Sequence, residues 1–222
     1  MSNGGVSPYT NNLTTMFHKN DGSWVTTNNT IAGKINWTNV QVPGVANPSH
    51  GFTPTAWTPS DVGYGYFATG QNFYSFCIEG TQNVWSPGTS NWKVVDLTTS
   101  PQPYNKYINP TLGAGMGTQK ASWLTEYWSK NIASVVDNAS AAGFQLGVWA
   151  IVYNATDLAY FQKATNKLFD SSVSTNNALL VSPGNDPALL KASAFLKKVD
   201  GTAPAQQYTL FGLTDGYYQD QV

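Results

Sequence analysis

The chain has 222 residues, of which 10% are charged and none is arginine, and its net charge is −1. Eleven lysines against twelve acidic residues leave no electrostatic footprint for nucleic acid or an anionic membrane surface. Without arginine the bidentate readers of phosphate and guanine are missing too, so nucleic-acid binding is set aside, while the length allows a sizeable core.

Residues 1 to about 115 read as β-rich and loop-rich. Turn formers recur at Val42-Pro43-Gly44, Asn47-Pro48-Ser49 and Ser86-Pro87-Gly88, with short apolar runs between them. Tyr64 to Thr69 and Asn72 to Glu79 carry the strongest strand patterns. On the second of these, alternation puts Phe73, Ser75, Cys77 and Glu79 on one face and Tyr74, Phe76 and Ile78 on the other.

Near Thr118 the spacing turns helical, with Trp123, Leu124, Tyr127 and Trp128 at i, i+1, i+4 and i+5. A second helix is expected from the capping residues Asp137-Asn138 to about Tyr153, and a third from Asp157 to about Phe169. A fourth opens at Asp186-Pro187, with proline in the first turn. Gln207 to Phe211 and onward returns to strand character. The expected fold is α+β: a β-rich sandwich or barrel (1–115 plus 205–222) with a helical part at 116–204, in a single domain.

Two residues stand out chemically. Cys77 is the only cysteine, so it belongs to no internal disulfide. It is an inert core thiol, a nucleophile, a metal ligand or half of a rarer bond. Gln145 is the one strongly polar side chain in the apolar run from Ala141 to Tyr153, and a helix apolar all round is buried on most sides. An unpaired buried amide costs roughly 1–3 kcal/mol, so Gln145 needs a partner or a task. A core glutamine bonded to nearby backbone satisfies that requirement as well as a chemical role does.

The segments Phe76-Cys77-Ile78-Glu79 and Phe144-Gln145-Leu146-Gly147-Val148-Trp149 together resemble the paired motifs of bacterial thioester domains. In that family an aromatic-Cys-apolar-acid strand and an apolar-Gln helix supply the two halves of an internal Cys–Gln thioester. The helix Lys120-Ala121-Ser122-Trp123-Leu124 also resembles the segment preceding the Gln helix. The wording around Ala142 to Trp149, with the tail Tyr218-Gln219-Asp220-Gln221, is similar to Gram-negative-type surface and exported proteins. The resemblance covers about a fifth of the chain.

It implies a Cys77–Gln145 thioester captured by an amine, a protein lysine or a small amine, on a surface or matrix target, in single turnover rather than as an enzyme. It implies no cofactor and no metal, and an extracellular or cell-surface location. Met1 to Gly5 lacks the basic head and apolar run of a signal peptide, so leader and anchor are expected outside this sequence. No stretch reaches the ~20 apolar residues of a membrane span. Phe76, Phe144 and Trp149 are candidate supporting residues that would shield the bond, and Glu79 is either a proton acceptor or a solvated strand-end carboxylate. Gln119, in Thr118-Gln119-Lys120-Ala121, is the rival acyl partner, because thioester motifs often carry threonine before the glutamine. Its place at a helix start beside a lysine suggests exposure, which would let water hydrolyse the bond.

Other chemistries have thinner support. A cysteine protease needs a histidine base, and His18 and His50 both lie in turn-rich sequence far from Cys77. One cysteine and two scattered histidines offer no ligand-spaced metal site. The carboxylates are isolated, and nothing nominates a glycosidase pair. The main competitor is a non-covalent binding module with Cys77 inert. In that reading Trp24, Trp37, Trp57, Tyr64, Tyr66, Trp85 and Trp92 stack on carbohydrate, or else simply fill a β-core.

Overall fold

A computed structural model describes residues 2–6, 14–18, 23–27, 35–38, 73–78, 93–100, 115–162, 179–182, 186–205, 208–214 and 222. Its strands are β1 (Ser2–Val6), β2 (Thr14–His18), β3 (Trp24–Thr27), β4 (Ile35–Thr38), β5 (Phe73–Ser75), β6 (Lys93–Asp96), β7 (Leu179–Ser182) and β8 (Phe211–Thr214). Its helices are α1 (Gly117–Asn131), α2 (Asn138–Tyr153), α3 (Leu158–Gln162) and α4 (Pro187–Leu196). The strands form three small antiparallel groups, ordered β1-β4-β5, β3-β2-β7 and β6-β8.

One departure from the sequence expectations concerns the helical part. β7 lies inside 116–204 and pairs with β2, with Met16 opposite Leu180. Leu179-Leu180-Val181 is a short apolar run with a β-branched residue, too brief for a helix, and periodicity alone does not assign it. The third helix is described only over Leu158–Gln162, and the remainder of its expected span, like the expected strand at Tyr64–Thr69, lies outside the described residues.

The core is organised around α2, in which every residue from Ser140 to Tyr153 is buried. Its start is fixed by a capping box. Asp137 Oδ1 accepts from the Ser140 N–H at 2.6 Å, and Ser140 Oγ accepts from the Asp137 N–H at 3.0 Å. α4 is capped similarly, Asp186 Oδ1 accepting from the Ala188 N–H at 2.8 Å ahead of Pro187.

Two glycines let neighbours approach α2 closely. A Cβ on Gly143 would lie 2.6 Å from Lys191 Cβ and 2.7 Å from the Ala188 carbonyl oxygen, so α4 packs against bare backbone there. A Cβ on Gly147 would overlap the Tyr127 hydroxyl of α1. That hydroxyl instead donates to the Phe144 carbonyl at 3.1 Å. At the far end of α1, Asn131 Nδ2 donates to the carbonyls of Tyr127 (2.8 Å) and Phe195 (3.1 Å), tying α1 to α4.

Candidate functional site around Cys77 and Gln145

After β5 the chain continues through Phe76, Cys77 and Ile78, and Ser75 to Ile78 are all buried. Both faces of this stretch are therefore covered, as its aromatic and apolar residues on alternate sides require. It is anchored by Val222, whose N–H donates to the Phe76 carbonyl at 2.8 Å and whose carbonyl accepts from the Phe76 N–H at 2.9 Å.

Gln145, 1% exposed, meets Cys77, 5% exposed, through a reciprocal pair of hydrogen bonds. The Cys77 N–H donates to Gln145 Oε1 at 2.7 Å, and Gln145 Nε2 donates to the Cys77 carbonyl at 2.7 Å. Residues 68 apart in sequence are thus joined in the core. The amide carbon of Gln145 faces the very Cα from which the thiol branches. In a strand-like residue the side chain leaves roughly perpendicular to the plane of its N–H and C=O.

The surroundings are aromatic. The Phe76 ring lies 4.6 Å from Phe144 and 5.6 Å, edge-on, from Trp128, and Phe144 also meets Tyr127 at 4.7 Å. Two of the expected shielding residues, Phe76 and Phe144, are thus in direct contact. Trp149, one turn beyond Gln145, is 3% exposed in the same core. Burial raises the Tyr127 hydroxyl well above its ordinary pKa, so it remains a neutral donor to the α2 backbone.

The rival Gln119 is exposed in the first turn of α1. Its neighbour Lys120 is buried, 7% exposed, with Nζ donating to the Val152 carbonyl in the last turn of α2 at 2.5 Å. Desolvation lowers its pKa to about 8. Val152 lies seven residues past Gln145, about 10 Å along the helix, so this amine is held away from the Gln145 amide. Nothing in the sequence marked Lys120 as buried, because a lysine beside a polar helix start is ordinarily solvated.

Glu79, His50, Trp57, Tyr64, Tyr66, Trp85 and Trp92 lie outside the described residues, and Trp24 and Trp37 are placed as backbone in β3 and β4. Among the described residues, no helix is long and apolar enough to cross a membrane. No protein-family model, curated protein or solved structure matches the chain.

Proposed function

We propose that the protein is an extracellular covalent-binding domain of the thioester type, with Cys77 and Gln145 forming the internal bond. The observation that carries this reading is the reciprocal clasp between the Gln145 amide and the Cys77 main chain at 2.7 Å. In the bond-forming step the Cys77 sulfur adds to the Gln145 amide carbon, the C–N bond breaks, and the thiol proton leaves with the nitrogen as ammonia. The product is an acyl electrophile. An amine on the target then takes the acyl group, giving an amide on the former Gln145 side chain and returning the Cys77 thiol. No catalytic turnover follows, since the acyl group is consumed.

Burial supports the same reading. A thioester between residues 5% and 1% exposed, in a core that also holds Phe76 and Phe144, would be screened from water and hydrolyse slowly. At Gln119, which is exposed, the bond would lack that protection.

The competing reading is a binding module in which Gln145 is a structural core amide and Cys77 an inert thiol, and it too has a specific observation behind it. The two hydrogen bonds satisfy both polar atoms of the amide without any chemistry. Intact-mass spectrometry separates the two. A thioester leaves the chain lighter than its sequence mass by one ammonia, and methylamine adds to it. Cys77→Ala and Gln145→Ala should both abolish the adduct and Gln119→Ala should not. Unmodified mass with a titratable thiol in freshly prepared, unhydrolysed protein would sink the proposal.

A further inference from the structure

We propose that the peptide group joining Phe76 to Cys77 is the oxyanion donor for this chemistry, and that Val222 is the positioning residue that sets its strength. The inference rests on the thioester reading and concerns what activates the acyl carbon. When sulfur adds to the Gln145 amide carbon, negative charge develops on Oε1. The group facing that oxygen is the Cys77 N–H, at 2.7 Å and already aligned before reaction. A preorganised donor at this distance in a dry site stabilises charge that forms only in the transition state.

The other end of the same peptide group is also held. The Phe76 carbonyl accepts from the Val222 N–H at 2.8 Å, so a continuous chain runs from Val222 N–H, through the Phe76–Cys77 peptide, to Oε1. A hydrogen bond to the carbonyl of an amide polarises its N–H and makes it a better donor. Val222 therefore acts on the acyl carbon without touching it. It is 7% exposed, and its own carbonyl accepts from the Phe76 N–H at 2.9 Å, which fixes the orientation of the pair. On the leaving side, the Cys77 carbonyl accepts from Nε2 at 2.7 Å and is placed to hold the nitrogen as it gains the thiol proton and departs as ammonia. Once the thioester exists, the same N–H faces its carbonyl oxygen and promotes attack by the target amine.

Val222→Pro removes the N–H but keeps the carbonyl, whereas Val222→Ala keeps both. Wild-type mass first establishes whether the thioester is present. If it is not, the thioester reading fails and this inference goes with it. With the bond present, methylamine capture should slow by about fivefold in Val222→Pro and stay within about twofold of wild type in Val222→Ala. Because the chain has one cysteine, ¹⁵N-cysteine labelling gives a single amide signal, that of Cys77. In wild type its proton should be strongly downfield and slow to exchange, and Val222→Pro should move it upfield. Should Val222→Pro fail to fold, replacing Val222 with its α-hydroxy acid by semisynthesis removes the same N–H with little change of shape. Equal capture rates in wild type and the N–H-deleted protein, or equal slowing by Val222→Ala, would overturn the proposal.

Discussion

Lys120 illustrates how far one side chain's environment can depart from its sequence context. Its amine is drawn from the ordinary 10.5 to about 8 by burial, so the folded protein releases this proton more readily than the unfolded chain. Between pH 8 and 10.5 the unfolded state then binds more protons, and stability should rise with pH across that window, by up to roughly 3 kcal/mol from this group. Urea unfolding at pH 7 and pH 10 checks this, as the gain in wild type should largely vanish in Lys120→Met. A gain of the same size in the variant would mean that other groups carry it. Tyr127→Phe removes one hydroxyl donor from the Phe144 carbonyl and should cost about 1 kcal/mol in the same assay.

At the scale of elements, α2 is positioned by what it lacks. Gly147 has no Cβ where the Tyr127 hydroxyl of α1 lies, and Gly143 has none where α4 crosses. Gly147→Ala would gain about 1 kcal/mol in helix propensity, but the overlap falls on a buried aromatic ring that has no open space to enter. The net effect should be destabilisation of about 1–3 kcal/mol, read by thermal or urea unfolding. Asp137→Ala, by contrast, should cost only about 1 kcal/mol, because it loosens the first turn and leaves the packed face intact. A neutral Gly147→Ala would mean that α1 is free to shift away from α2.

For the whole molecule, the proposed Cys77–Gln145 bond would be a cross-link closing a loop of 68 residues between strand and helix. Chain-entropy arguments for such a closure give about 4 kcal/mol of stabilisation relative to the opened form. If the thioester is present, opening it with methylamine should therefore lower the melting temperature by several degrees, and calorimetry on the two forms measures the difference. The second anchor in the region, Phe76 with Val222, joins chain segments even farther apart. Non-local closures of this kind are invisible to local pattern, which is why Val222 carried no signal while Cys77 and Gln145 did.

The residues singled out in the sequence were those whose chemistry clashes with their setting: a lone cysteine in an aromatic strand, and one amide in an apolar helix. Local rules also anticipated the starts of α2 and α4, because a capping aspartate and a first-turn proline act on the adjacent backbone alone. Tertiary structure decided that β7 belongs to a sheet, that Lys120 beside the exposed Gln119 is buried, and that Gln145 spends both amide atoms on the Cys77 backbone. The physical reason is range. Capping, periodicity and propensity act over a turn or two of chain, whereas desolvation and hydrogen bonding between residues 68 apart depend on which surfaces the folded core presses together.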